Sequence, residues 1–218
     1  MRYKAFIFDL NGTIIDDMAF HSEAWFRILN EELNAGLSRE EVDRQMYGKN
    51  GEVLDRIFGS GKFSGEEKEA LSIRKEQIYQ EAYLPHLQLI PGLERFLERA
   101  AARRIPMAIG TAAIPFNVDF VVDRLHIRHF FQAIITASDV SRSKPDPETF
   151  LTCARALGVT PSDCLVFEDV PKGAEAAQNA GMDTVIITTG HQPEAFHALQ
   201  QILFYIPDFT GKALDLLF

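Results

Sequence analysis

The sequence predicts an α/β fold, a parallel sheet whose first strand is separated from the others by an all-helical insert. Three observations carry this expectation. The stretch Phe6-Ile7-Phe8-Asp9-Leu10-Asn11-Gly12-Thr13 is an apolar run ending abruptly in a carboxylate, an amide and a glycine. That is the pattern of a strand covered on both faces that delivers polar groups to its C-terminal tip. Beyond Pro91-Gly92, short apolar runs alternate with amphipathic segments, which implies parallel strands joined by right-handed crossovers. Between these regions the chain shows helical periodicity and no strand signal.

In chain order, residues 5–8 form the first strand and Asp9 ends it. Over residues 18–34, Phe20, Ala24, Phe26, Ile28, Leu29 and Leu33 give a helical stripe, with His21 and Trp25 spaced i, i+4 on one face. That pair either lines a pocket or places Trp25 in the core with His21 partly buried beside it. Ser38 and Glu41 make a capping box that opens a short helix, and Gly48, Gly51, Gly59 and Gly61 punctuate further helical pieces. Over residues 65–83, charged residues alternate with Leu71, Ile78, Ala82 and Tyr83, predicting a solvated helix with a narrow packed face, ended by Pro85. The expected division is a core of residues 1–15 and 88–218 and a helical domain of residues 16–87.

In the second part, residues 93–103 read as an amphipathic helix and residues 106–111 as a strand with a hydroxyl, Thr111, at its tip. Helix 116–125 and strand 133–136 follow. The turn Ser143-Lys144-Pro145-Asp146-Pro147 opens helix 147–157. The apolar strand 165–169 ends in Glu168 and Asp169, and helix 173–180, strand 184–188, helix 193–199 and a short strand near 204–206 complete the pattern.

Composition narrows the function. With 46% hydrophobic residues among 218 the chain can build a proper core. A net charge of −9 without a Lys/Arg-rich stretch leaves no footprint for nucleic acid or an anionic membrane, so positive charge for an anionic substrate must be local. No long apolar run and no signal-peptide pattern occur, so a cytoplasmic protein is expected. Cys153 and Cys164 lack metal-like spacing and lie in core-like segments, which predicts reduced, buried, inert thiols.

In a parallel sheet the strand tips lie along one edge, so Asp9 with Asn11, Thr111, Lys144 in its loop, and Glu168 with Asp169 can converge. Carboxylates from two strands suit a hard cation such as Mg²⁺, while Lys144 and Thr111 suit a phosphate.

The segments Phe-Asp-Leu-Asn-Gly-Thr at 8–13, Gly-Thr-Ala-Ala at 110–113, Ser-Lys-Pro-Asp-Pro at 143–147 and Phe-Glu-Asp-Val-Pro-Lys-Gly at 167–173 occur in one order along nearly the whole chain. In this the sequence resembles the haloacid dehalogenase-like hydrolase superfamily, in the branch similar to β-phosphoglucomutase and small sugar-phosphate phosphatases. The resemblance implies a Rossmann-like core with a helical cap that closes during phosphoryl transfer. It implies Asp9 as nucleophile, forming an aspartyl-phosphate, with Thr111 and Lys144 holding the transferred phosphoryl group. It implies a Mg²⁺ site of Asp9, the backbone carbonyl of Asn11 and Asp169, with Glu168 as a further metal-site carboxylate in the outer shell. His21, Trp25 and Lys75 match cap positions that contact substrate, Lys75 otherwise reading as an exposed helical lysine. Lys49 and Asn50 in the cap loop and Ala112 beside Thr111 are further expected substrate neighbours.

Two departures qualify the resemblance. The family's phosphotransferases carry an Asp two residues after the nucleophile as general acid and base, whereas this chain has Asn11, whose amide cannot shuttle a proton. The mutase subset grips a second phosphate through a Ser-Lys-Asn run and a cap arginine, whereas this chain has Ala113-Ile114-Pro115 and Gly48-Lys49-Asn50-Gly51. The expectation is therefore a Mg²⁺-dependent phosphohydrolase for small phosphorylated metabolites, working as a monomer or weak homo-oligomer. Its alternatives are a β-phosphoglucomutase-type mutase, an inactive phosphate-ligand binder or trapped variant, and a haloacid dehalogenase.

Overall fold

The computed structural model describes residues 2–218, which form two compact units: one running to Asp16 and resuming over Gln88–Phe218, the other Asp17–Leu87. In chain order the elements are β1 (Ala5–Phe8), α1 (Met18–Phe26), α2 (Arg39–Asp43), α3 (Asn50–Phe58), α4 (Gly65–Tyr83), α5 (Leu93–Ala102), β2 (Met107–Gly110), α6 (Pro115–Arg124), β3 (Ala133–Ile135), α7 (Glu148–Leu157), β4 (Cys164–Glu168), α8 (Pro171–Asn179), β5 (Asp183–Ile187) and β6 (Ile202–Ile206).

The larger unit is a parallel sheet in the order β3-β2-β1-β4-β5-β6. β1 lies centrally, with Phe8 opposite Ile109 on one side and Phe167 on the other. Each of its four residues is buried, as an uninterrupted apolar run requires. Side chains alternate between the faces. Ile7, Ala108 and Val166 join Phe150, Cys153, Ala176 and Ala177 in one core. Phe6 and Phe8 belong to an aromatic cluster with Phe96, Phe167 and Phe209, in which Phe8 stacks on Phe167 at 4.6 Å. Both cysteines are free and buried, and burial pushes their thiols up to about 12 for Cys153 and about 11 for Cys164.

The helical unit shows where charge misleads a reading by periodicity. α4 spans the expected residues and opens on a capping box of Ser64 and Glu67, but its buried face holds Ser72, Lys75, Glu76, Ile78, Tyr79 and Tyr83, and Ala82 is exposed. The expected helix 18–34 changes pitch at Arg27 into a π-helical stretch, Arg27–Glu32. The wider turn accommodates Ile28 and Leu29, neighbours in sequence that are both fully buried. In the core unit the expected helix 193–199 is a single 3₁₀ turn, Pro193–Phe196, because Phe196 alone among residues 193–199 is buried and no apolar stripe holds further turns. A C-terminal 3₁₀ segment, Lys212–Leu217, was not anticipated. No helix among the described residues is long and apolar enough to cross a membrane.

Candidate active site

The tip of β1 is bonded into the sheet, since the amide of Asp9 donates to the Phe167 carbonyl at 2.9 Å. Lys144 Nζ donates to Asp9 Oδ1 at 2.5 Å and to Glu168 Oε1 at 2.7 Å, joining residues far apart in sequence in one buried cluster. Its ammonium also lies 4.6 Å from the centre of the Phe150 ring. Glu168 Oε2 accepts from the amides of Asp169 and Val170 at 2.9 and 3.0 Å, so both of its oxygens are engaged. Asp169 Oδ1 accepts from the Thr13 hydroxyl at 3.2 Å, whereas Asp169 Oδ2 is buried without a hydrogen-bond partner.

Two glycines make room for these carboxylates. At Gly12, where φ is +79°, a Cβ would lie 2.0 Å from Asp169 Oδ2, and at Gly173 one would lie 1.7 Å from Glu168 Oε1. Gly12 therefore meets two demands at once, a left-handed turn and close approach to a side chain. Its carbonyl accepts from the Thr189 hydroxyl at 2.7 Å, which ties the loop after β5 to the loop after β1. Thr111 stands buried beyond β2, its amide donating to the Ile135 carbonyl and its hydroxyl accepting from the Ala113 amide at 3.0 Å. Ala112 is half-buried on the same turn, and half-buried Asn11 forms a short bridge with Ile15.

The cluster is electrostatically unfinished. Of three buried carboxylates, Asp9, Glu168 and Asp169, the first two bond the Lys144 ammonium and the third does not. Burial raises the Asp9 carboxyl to about 7 against the pull of Lys144, with Glu168 adding to the rise. Burial, then Glu168 and Asp9, push Asp169 well above the ordinary carboxylate range. Burial also opposes the charge on Lys144, but Asp9 and Glu168 outweigh it and hold its pKa above the usual value.

Among the described residues no three His, Cys, Asp or Glu side chains are grouped as a metal centre. The donors present nevertheless fit a hard divalent cation that uses one or two carboxylates and completes its shell with water, a backbone carbonyl or substrate oxygen. The unpartnered Asp169 Oδ2 and the excess of negative charge both favour such an ion. Glu168, with both oxygens engaged, has the position of an outer partner rather than a direct ligand.

The helical unit gathers its own polar residues. Lys75 is 3% exposed, which rules out the exposed-lysine alternative. Its ammonium lies 2.6 Å from His21 Nδ1 and donates to Glu76 Oε1 at 2.9 Å. His21 Nε2 is 3.2 Å from Asp17 Oδ2, which also accepts from the Tyr79 hydroxyl at 2.5 Å, and the His21 ring stacks on Tyr79. Asn50 donates to Glu76 Oε1 at 3.0 Å, the Lys49 amide donates to Glu52, and Trp25 is buried with the Lys75 ammonium 5.6 Å from its ring. Burial pushes the Glu76 carboxyl up, but Lys75, His21 and Asn50 outweigh it and leave its pKa lowered. Asp17, Glu76, Tyr79 and Thr189 were absent from the sequence-based site. The i, i+4 spacings of Asp17 with His21 and of Lys75 with Tyr79 were the available signal.

The family model of the haloacid dehalogenase-like hydrolases matches residues 3–181. The fructose-1-phosphate phosphatase YqaB of Escherichia coli is 34% identical over 188 residues, covering 84% of this chain and 96% of its own. The β-phosphoglucomutase of Bacillus subtilis is 35% identical over 193 residues, covering 86% of this chain and 84% of its own. Among solved structures, a β-phosphoglucomutase from Clostridium difficile superposes with a TM-score of 0.84 at 26% identity, covering 99% of this chain and 95% of that one.

Proposed function

Because the chain belongs to the haloacid dehalogenase-like hydrolases, and is thus a phosphatase or phosphotransferase, we propose that it is a Mg²⁺-dependent phosphohydrolase acting on small sugar phosphates through Asp9. The observation that carries the proposal is the Asp9 carboxylate at the tip of the central strand, held at Oδ1 by Lys144 in a buried cluster with two further carboxylates. With Oδ1 held, Oδ2 is the oxygen that attacks phosphorus, giving an aspartyl-phosphate. Lys144 and Thr111 orient the phosphoryl group. Asp9, Asp169 and the main-chain carbonyl of Asn11 would hold Mg²⁺, with Glu168 outside them; when bound, the ion neutralises the repulsion between carboxylate and phosphate. Thr13 and Gly12 fix Asp169 from one side. His21, Trp25, Lys49, Asn50, Lys75 and Ala112 are assigned to substrate contact, the core residues 1–15 and 88–218 to chemistry and the helical residues 16–87 to selection. The enzyme works in the cytoplasm as a monomer or weak homo-oligomer.

The names of two relatives, a fructose-1-phosphate phosphatase and a β-phosphoglucomutase, support a sugar phosphate as substrate. The apolar Ala113-Ile114-Pro115 run, where mutases of the family grip a second phosphate, favours hydrolysis over mutation of the sugar. Asn11 at the family's acid/base position favours a second reading of this chain, a phosphoenzyme that turns over slowly. A phosphate-release screen over sugar phosphates with Mg²⁺, run on this chain and on Asn11→Asp, tests both. Release by either protein, absent from Asp9→Asn, is the expected result. Failure of both to bind Mg²⁺ or to release phosphate overturns the proposal.

A further inference from the structure

The titratable side chains that meet at the sheet edge are Asp9, Lys144, Glu168 and Asp169, and each makes at least one hydrogen bond there. Asp9 is the attacking carboxylate and must be ionised to act. Lys144 is clasped by two carboxylates, Asp9 and Glu168. Glu168 accepts from Lys144 through one oxygen and from two amides through the other. Asp169 accepts from Thr13, and its second oxygen is buried against Gly12. In the helical unit, His21 is engaged on both ring nitrogens, by Lys75 and by Asp17, and Lys75 is engaged by His21 and Glu76. Residue 11 is an amide, which neither gives nor takes a proton near neutral pH.

We propose that this chain accepts phosphoryl groups from donors whose leaving group departs without a proton, acyl phosphates first and aryl phosphates next, and that Asp9 then remains phosphorylated. The inference rests on the reading of Asp9 as nucleophile. In the step, an Asp9 Oδ2 lone pair forms the new bond to phosphorus while the bond from phosphorus to the donor oxygen breaks. The electron pair of the broken bond stays on the departing oxygen. For an acyl phosphate that oxygen belongs to a carboxylate, whose conjugate acid has a pKa of about 4, and for an aryl phosphate to a phenolate, about 10. A sugar or polyol hydroxyl is a far weaker acid, so its oxygen must be protonated as it leaves, and general acid catalysis of such a transfer contributes about 10²- to 10⁴-fold. Hydrolysis of the aspartyl-phosphate needs the same assistance in reverse, since water must lose a proton as it attacks, so the phosphoenzyme outlives its formation.

The test follows Asp9 by intact-protein mass spectrometry after mixing with Mg²⁺ and acetyl phosphate, phenyl phosphate or glycerol phosphate, beside Asp9→Asn and Asn11→Asp. The expected result is a mass gain of one phosphoryl group, absent from Asp9→Asn, formed fastest from acetyl phosphate and slowest from glycerol phosphate, and persisting after the donor is removed. In Asn11→Asp the reaction with glycerol phosphate should accelerate by about 10²- to 10⁴-fold, a larger factor than for acetyl phosphate. Equal rates from acetyl and glycerol phosphates in the unaltered chain would overturn the inference while leaving Asp9 as nucleophile. A phosphoenzyme that disappears as fast as it forms would overturn the claim of persistence. No mass gain from any donor, in the unaltered chain and in Asn11→Asp alike, would overturn the reading of Asp9 and the inference with it. Should Asn11→Asp not fold, the comparison of the three donors on the unaltered chain decides the matter alone.

Discussion

The two units each bury a cluster of acids and bases, and the clusters are balanced differently. At the sheet edge Asp9 and Glu168 share Lys144, a third carboxylate, Asp169, has an oxygen without a hydrogen-bond partner, and the pKa values of Asp9 and Asp169 are raised. In the helical unit Glu76 also has a buried oxygen, Oε2, without a hydrogen-bond partner, but its charge is met by Lys75, Asn50 and the nearby His21, and its pKa is lowered. Buried charge is costly unless compensated. A cluster that raises the pKa of its own acids is completed from outside by a proton, a cation or a substrate, whereas one that lowers it has its charge balanced from within. The first is the signature of reacting groups and the second that of a scaffold that holds side chains proposed for substrate contact.

The comparison breaks most visibly at Asp9. Asp9→Asn keeps the shape and removes the nucleophile, so phosphate release by whichever form of the enzyme is active should fall on the order of 10⁴-fold or more, measured as kcat. Lys144→Met leaves buried carboxylates without their ammonium and should cost about 3–5 kcal/mol in urea unfolding, the range for breaking a buried pair. Mg²⁺ should restore part of that loss, because an ion that binds only the folded state stabilises it by mass action; a loss indifferent to Mg²⁺ would show that the edge does not hold the ion. Gly12→Ala should weaken Mg²⁺ binding measured by calorimetry, since the new methyl group meets Asp169 Oδ2 and the backbone there has positive φ. Unchanged affinity would remove Asp169 from the metal site.

The sheet and its tips were legible because two strong signals coincide there: uninterrupted apolar runs give strands buried on both faces, and the polar residue that stops each run marks the edge. Asp9, Thr111 and Glu168 were found in this way and Lys144 from its Pro-rich turn, and their placement along one edge follows from parallel topology. In the second cluster His21, Lys75 and Asn50 were named from the resemblance, but its burial and its members Asp17, Glu76 and Tyr79 were hidden by the same logic. Lys75, Glu76 and Tyr79 sit among Glu66, Glu67, Lys68, Arg74 and Glu81 on α4, and periodicity read from charge assigns them all to solvent. Only three-dimensional pairing with Asp17, His21 and Asn50 lets two of those charges be buried. Thr189 escaped notice because its partner is a main-chain carbonyl, which has no sequence signature.

The smallest and sharpest effect is on pH dependence, where the two clusters should act with opposite sign. The folded protein holds the Asp9 proton more tightly than the unfolded chain does, so in EDTA this group's contribution to stability is fully present below its ordinary pKa of 3.8 and is lost as pH rises through about 7. The lowered pKa of Glu76 works the other way, its contribution being present above the ordinary value of 4.5 and lost as pH falls through the folded-state pKa. Urea midpoints of the metal-free protein should therefore decline between pH 5 and pH 8. Lys144→Met should extend that decline to higher pH, because Asp9 loses the ammonium that opposes its protonation. Lys75→Met should leave the decline between pH 5 and pH 8 in place and weaken the stability on the acid side, since Glu76 then keeps less of its compensation. If Lys75→Met instead abolished the decline above pH 5, the proton would reside in the helical unit, and the raised carboxyl at the tip of β1 would no longer distinguish the site from the scaffold.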